Sequence, residues 1–262
     1  MTDSDSSVPD SIATQSPGVM AIVLAAGKGT RMQAELPKVL LPVLQRPLVA
    51  HVVHALESSG IDKLVMVVGY REALVRAEFA NHANISFVTQ HEQLGTGHAV
   101  KMCLAALQQH EGPVVIVTGD SPLLQADSVT TLVKTFVDRK LSCLVGSLHH
   151  TQPAGLGRIV RDGEGNFQQI VEERDATGEQ KKNSEVNMST YVFDSSHLQW
   201  SLEKLQSHNA QNEFYLTDCP SILKQAGYAV DALPVLKPCE SLSVNTPEQL
   251  ELVEHEMRKL GY

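Results

Sequence analysis

The sequence predicts an α/β protein built on a doubly wound, mixed but mainly parallel sheet, with a smaller lobe beside it. Three observations lead there. A short apolar run at residues 19–25 ends in glycines, strand and helix patterns alternate from that run to residue 118, and the pattern changes after Asp120 to short alternating segments. Repeated strand-helix-strand order calls for parallel strands with helices on both faces, and ligands then gather at the carboxyl ends of the strands.

Each element has a local reason. Residues 19–25 are continuously apolar, as a strand buried on both faces requires. Pro47, suited to the first turn of a helix, opens an apolar-periodic stretch that Gly60 closes. Residues 63–68 read as a strand, 72–80 as a helix, 85–89 as a strand, 96–109 as a helix and 114–118 as a strand. Beyond Asp120, residues 158–161 and 167–172 flank Asp162-Gly163-Glu164-Gly165, the composition of a hairpin turn. A strand at 188–193, a helix at 216–224, a strand at 230–235 and a final helix from Pro247 complete the reading. Between residues 121 and 157 only one feature is assigned, a strand end at His149-His150. No internal repeat occurs. Residues 1–18 form a tail, and 19–262 one domain whose halves divide near 120/121.

Composition narrows the function. With 262 residues, 42% of them hydrophobic, the chain can bury roughly three quarters of its unfolded surface. Its formal net charge of −9, with no Lys or Arg run, argues against nucleic acid and anionic membrane as partners. Four scattered cysteines without a CxxC pair fit reduced thiols better than disulfides or zinc. His51 and His54 fall on an apolar helical stretch, where satisfied or surface histidines are the ordinary reading. The first eighteen residues are rich in Ser, Asp, Pro and Thr and lack a basic start or an apolar core, so they read as a disordered tail and not a signal peptide. A cytoplasmic protein follows; a monomer is the expected state, on no residue pattern that itself fixes oligomeric state.

The chemistry concentrates first in Leu24-Ala25-Ala26-Gly27-Lys28-Gly29-Thr30-Arg31-Met32 and the following Pro37-Lys38-Val39-Leu40. Small residues straight after a strand let backbone N–H groups approach phosphate oxygens, and Arg31 and Lys38 bring charge to a triphosphate. Two familiar phosphate loops are excluded. A P-loop needs Ser or Thr after Gly-Lys, where Gly29 stands, and a glycine where Ile22 stands; a dinucleotide fingerprint needs a small residue in place of Met32.

What remains resembles the LxAGxGTRM…PK segment of sugar-nucleotide pyrophosphorylases. Gln90-His91-Glu92-Gln93-Leu94-Gly95-Thr96-Gly97-His98-Ala99 is similar to a segment of bacterial N-acetylglucosamine-1-phosphate uridylyltransferases, the amino-terminal half of GlmU enzymes. Gly119-Asp120-Ser121-Pro122-Leu123 resembles that family's G-D-x-P-L. Gly157-Arg158-Ile159-Val160, Ile170-Val171-Glu172, Glu185-Val186-Asn187 and Asn212-Glu213-Phe214-Tyr215-Leu216-Thr217-Asp218 follow in family order, so the resemblance spans about residues 19–245.

The resemblance implies a Rossmann-like nucleotidyltransferase fold with a sugar-binding lobe, UTP and a sugar 1-phosphate as partners, and Mg²⁺ as cofactor. It implies nucleotide contacts from Leu24, Ala25, Ala26, Gly27, Lys28, Gly29, Gln90, Gly95 and Thr96, with Gln90 reading the uracil edge through one amide donor and one acceptor and Gly95 backbone atoms completing the contact. Sugar contacts would come from Thr118, Gly119, Gly157, Glu172 and Asn187, and catalytic charge from Arg31 and Lys38. Asp120, at a strand end, suits a hard cation, and Asn245 matches the family's second metal ligand. Read without the resemblance, Asp120 caps a turn, Asn245 caps the helix at Pro247, and Glu173-Arg174-Asp175 is a solvated charge run.

Three departures bear on the sugar. Thr118 stands where the family usually has Tyr, Met188-Ser189 where Thr-Gly is usual, and Thr246-Pro247 where Asn-Arg is usual. The hexapeptide repeats of the bifunctional relatives do not follow, so acetyl transfer is not expected of these 262 residues. The competing readings are the same reaction on another sugar 1-phosphate, and a non-catalytic nucleotide sensor. Retention of Arg31, Lys38, Asp120 and Asn245 speaks against the sensor.

Overall fold

A computed structural model describes residues 18–32 and 34–262. The tail expected at residues 1–18 lies, apart from Gly18, outside the described residues.

The chain folds around one mixed sheet. Its strands are β1 (Met20–Ala25), β4 (Lys63–Val68), β5 (Ile85–Thr89), β6 (Pro113–Thr118), β7 (Cys143–His149), β8 (Gly157–Arg161), β9 (Phe167–Val171), β10 (Glu185–Asp194) and β11 (Val230–Pro234). The two-residue strands β2 (Pro42–Val43) and β3 (Arg46–Pro47) form a separate small hairpin. Helices are α1 (Leu48–Ser58), α2 (Glu72–Glu78), α3 (Thr96–Lys101), α4 (Leu104–Gln108), α5 (Ala126–Asp138), α6 (Ser195–Glu203), α7 (Asp218–Gln225) and α8 (Pro247–Leu260). Strand order is β11-β7-β10-β6-β1-β4-β5, and the β8–β9 hairpin attaches through β10. Strands β1, β4, β5 and β6 run parallel, while β10 lies antiparallel between β6 and β7. The sheet therefore takes strands from both halves of the chain.

The unbroken apolar run of β1 hides a period of two. Ala21, Val23 and Ala25 join the core under α1 and α5, with Val49, Val52, Leu132 and Phe136. Met20 and Ile22 face the opposite layer with Val100, Leu107, Leu198 and Leu202 from α3, α4 and α6. A strand sandwiched this way must be apolar on both faces, and each buried Val, Leu or Ile contributes roughly 1.5–3 kcal/mol. A third cluster seats α8, through Val253 and Met257, on Met32, Val43, Leu123 and Val244. That contact brings the amino end of α8 back to the end of β6, where the backbone N–H of Val244 donates to the carbonyl of Asp120 at 3.0 Å.

Most expected elements form, with informative differences. The helix expected at 96–109 is two helices, broken at Met102 and Cys103. The strand expected at 188–193 is longer, starting at Glu185, and carries a bulge between Asn187 and Thr190 at which Ser189 takes a positive φ of 53°. α5 and α6 were not expected from the sequence, and of β7 only its end, at His149-His150, was. Among the described residues no helix is long and apolar enough to cross a membrane.

Candidate active site

After β1 the chain cannot continue as a strand, because Gly29 adopts a φ of +62° and a Cβ there would stand 2.6 Å from Cβ of Lys38. The glycine lets the Pro37–Lys38 segment fold against the loop, and the one-turn 3₁₀ segments Thr30–Met32 and Lys38–Leu40 present Arg31 and Lys38 on one side. Behind them Gly119 closes on the end of β1, its N–H donating to the Leu24 carbonyl at 2.9 Å. A cavity of about 280 Å³ opens where β1, β5 and β6 end, lined among others by Leu24, Gly27, Lys38, Gln90, Thr118 and Asp120. β1 sits between β4 and β6, so the chain reverses direction across the sheet here, the usual place for a ligand in an open α/β fold.

Four polar groups from separate segments meet where Lys38 and Asp120 line this cavity, Arg31 and Asn245 joining them through hydrogen bonds. The Lys38 ammonium donates to Asp120 Oδ2 and, at 2.8 Å, to Asn245 Oδ1. Arg31 also donates to Asn245 Oδ1, at 3.1 Å. Lys38 and Asp120 expose only 12% and 18% of their side chains, so this pair is more strongly coupled than a surface salt bridge. Asn245 does not cap α8. Thr246 does, its Oγ1 accepting from the Gln249 N–H, while the Asn245 N–H is taken by Gln249 Oε1 at 2.8 Å. Relieved of capping, the Asn245 carbonyl oxygen points to the cations.

The fit of a divalent ion can be judged from this cluster. One carboxylate and one amide oxygen already converge on a single cationic group, the ammonium of Lys38. A hard ion that keeps waters and takes phosphate oxygens needs no more protein ligands than these two. No group of three or more His, Cys, Asp or Glu able to hold a metal occurs among the described residues.

Another part of the cavity lining comes from the loop after β5. Gln90 is 5% exposed, and its Nε2 donates to the Gly95 carbonyl and to His98 Nδ1, each at 3.1 Å. This corrects the expectation that Gln90 offers both a donor and an acceptor to a base: its amide hydrogens are already engaged, so only Oε1 is left. The loop is zipped to residues 213–216. Phe214 N–H donates to Leu94 O and Gly97 N–H to Phe214 O, both at 2.8 Å, and Leu216 N–H reaches Thr96 Oγ1 at 3.1 Å. Gly95 and Gly97 are required by that closeness, since a Cβ on either would come within 3.0 Å of the Phe214 carbonyl.

The remaining site residues divide. Ala25 turns its side chain into the core and is not among the residues lining the cavity. Lys28 is exposed and stands over the Tyr70 ring, 5.6 Å from its centroid. Gly157, Glu172 and Asn187 come together away from the cavity lining: a Cβ on Gly157 would lie 3.6 Å from both Glu172 Oε2 and Asn187 Cβ. Glu172 accepts from Thr217 Oγ1 at 3.0 Å, yet burial dominates and pushes its carboxyl up. Asn187 donates to Tyr191 Oη at 2.8 Å. Residues 213–218 connect the two places, because Glu213 lines the cavity whereas Tyr215, Thr217 and Asp218 stand around Glu172.

Gln93, His98 and Glu213 were quoted in the motifs without a role, although Gln93 and Glu213 line the cavity and Gln93 Nε2 donates to Ala26 O at 3.0 Å. Glu173 is more than a solvated charge: it pairs at 2.9 Å with Arg158, whose side chain is almost wholly buried. His51 is buried and satisfied by Val43 O at 3.1 Å.

Comparisons with known proteins agree with this architecture. The model of the MobA-like NTP transferase domain matches residues 21–180. The bifunctional protein GlmU of Streptococcus suis is 41% identical over 239 residues, covering 91% of this chain and 52% of that protein. GlmU of Clostridium perfringens is 42% identical over 238 residues, with the same coverage. The chain thus spans about half the length of the curated relatives it matches. Among solved structures, a UDP-glucose pyrophosphorylase in complex with UDP-glucose superposes with a TM-score of 0.75 at 16% identity, over 93% of this chain and 99% of the other. A putative glucose-1-phosphate thymidylyltransferase from Bacillus anthracis gives 0.73 at 19%, over 94% and 97%. At such identities these two establish the fold alone.

Proposed function

The chain belongs to the MobA-like NTP transferase family, and from that premise we propose that it transfers a uridylyl group from UTP to N-acetylglucosamine 1-phosphate, forming UDP-N-acetylglucosamine and pyrophosphate. The observation that carries this reading is the hydrogen-bonded cluster of Arg31, Lys38, Asp120 and Asn245, of which Lys38 and Asp120 line the same cavity as Gln90. Similarity to GlmU over nine tenths of the chain supports the choice of nucleotide and sugar.

The mechanism is one of positioning. A phosphomonoester has a second pKa of about 6, so the sugar phosphate is already mostly dianionic near neutrality and needs no general base. Its oxygen attacks the α-phosphorus of UTP in line, and the bond to the pyrophosphate oxygen breaks. Arg31 and Lys38 stabilise charge on the α-phosphoryl and leaving oxygens, helped by the loop amides after β1. Mg²⁺, held by Asp120 and Asn245, would neutralise phosphate charge and polarise the phosphoryl group when bound. Gly157, Glu172 and Asn187 are assigned to the sugar, Glu172 as acceptor for its hydroxyls, and Thr118 and Gly119 to the ground between sugar and phosphate.

Pyrophosphate release over a panel of nucleoside triphosphates and sugar 1-phosphates with Mg²⁺ tests this. UTP with N-acetylglucosamine 1-phosphate should give the highest kcat/KM. Equal turnover with GTP, or a clear preference for another sugar, would overturn the assignment.

A further inference from the structure

Gln90 occupies an unusual position for a polar side chain. It follows β5, its backbone N–H donates to Val68 O at 2.7 Å, and it is buried while still lining the cavity. Both hydrogens of its amide have acceptors, Gly95 O and His98 Nδ1. The orientation of an amide is normally ambiguous, but a carbonyl carries no hydrogen, so the atom facing Gly95 O must be the amide nitrogen. It follows that His98 Nδ1 accepts and that the imidazole hydrogen of the neutral ring sits on Nε2. Gln90 Oε1 has no protein donor among the described residues and is not sealed from solvent, which leaves one acceptor facing the cavity.

We infer that His98 is a specificity-determining residue, which by occupying the second amide hydrogen of Gln90 makes this position a pure acceptor and so admits a pyrimidine that donates at N3 while rejecting one that accepts there. Uracil donates from N3; cytosine presents a lone pair. A lone pair against Oε1 leaves two buried acceptors facing each other, the kind of mismatch that discriminates strongly. Without His98, Gly95 O still holds one hydrogen, but the other becomes available as a donor and cytosine can be met.

His98 is well placed to stay fixed. It lies in the first turns of α3, half-buried, with its ring centroid 6.4 Å from that of Phe214, in the segment zipped to the loop after β5. This inference rests on the reading that Gln90 faces the base of the nucleotide.

Calorimetric titration of UTP and CTP, with Mg²⁺ and without sugar phosphate, tests it in the parent and three variants. His98→Phe keeps the ring and removes the acceptor; His98→Leu is a second apolar replacement should the first not fold. His98→Asn keeps an acceptor, its Oδ1 standing about where Nδ1 does. The preference for UTP over CTP should fall at least about tenfold in His98→Phe and His98→Leu and persist in His98→Asn. A merely structural role would weaken both nucleotides together and leave the ratio unchanged, which overturns the inference while the base-reading role of Gln90 stands. If the parent itself shows no preference for UTP, both fall.

Discussion

The most informative residue is Lys38, because it lies where two roles compete. Its ammonium is shared between Asp120 Oδ2 and Asn245 Oδ1, the two oxygens assigned to the metal. A cation in that place repels another, so in the nucleotide-free protein the pair should hold a divalent ion weakly until phosphates draw Lys38 away. Lys38→Met should therefore tighten Mn²⁺ binding to the nucleotide-free protein by about tenfold or more, read by electron paramagnetic resonance, even as it impairs turnover. Unchanged Mn²⁺ affinity would mean that Lys38 does not guard these oxygens.

Asp218 supplies a second residue-level expectation. Burial, with Asp175 adding repulsion, raises its carboxyl from 3.8 to about 6. The folded state then binds more protons than the unfolded state between those values, so this group's stability contribution is present at low pH and is lost as pH rises through 6. Asp218→Asn should raise Tm at pH 7.5 by roughly 2–4 °C, for about 1 kcal/mol once solvent screening is allowed for, and by much less at pH 4. Equal shifts at both pH values would contradict this origin. At this scale much was legible: Arg31, Lys38, Asp120 and Asn245 are all visible in the motifs. The engaged amide of Gln90 was not, because its partners Gly95 and His98 reach it only through the folded loop.

Among elements, the β8–β10–β11 corner shows what local patterns miss. Arg161 on β8 grips Glu185 with Nε and Nη2 at 2.7 and 2.8 Å and Asp231 on β11 with Nη1 at 3.3 Å; Arg139, after α5, takes the other oxygen of Asp231 at 2.7 Å. Glu185 exposes only 6% of its side chain. Arg161→Met would strand that buried carboxylate, and urea denaturation should show a loss of about 3–5 kcal/mol. A loss below about 1 kcal/mol would make the clamp dispensable. The missed elements have physical reasons. α5 is rich in Val and Thr, which favour strands over helices. The apolar run of β7 is interrupted by Gly146 and Ser147, and Gly146 is there because Leu132 and the Thr190 carbonyl crowd it, at 3.0 and 3.1 Å from where a Cβ would be. α6 did carry a readable signal: Asp194 caps it by accepting from the N–H groups of Ser196 and His197.

For the whole molecule, the alternating first hundred residues were enough to specify parallel strands and a site at their carboxyl ends. They could not reveal that β10 would enter the sheet antiparallel between β6 and β7, since nothing in a strand's own residues names its neighbours. That insertion makes the later half part of the same sheet, and α8 then returns Asn245 to Asp120 across 125 positions of sequence. This convergence is the proposed catalytic centre for uridylyl transfer. Its most direct test is the steady-state rate of pyrophosphate release from UTP and N-acetylglucosamine 1-phosphate, with Mg²⁺, in the parent and in Asp120→Asn, which keeps the shape and removes the charge. Release should require both substrates, and kcat should fall ~100-fold or more in Asp120→Asn. No release from the parent, or full activity in Asp120→Asn, would contradict that assignment.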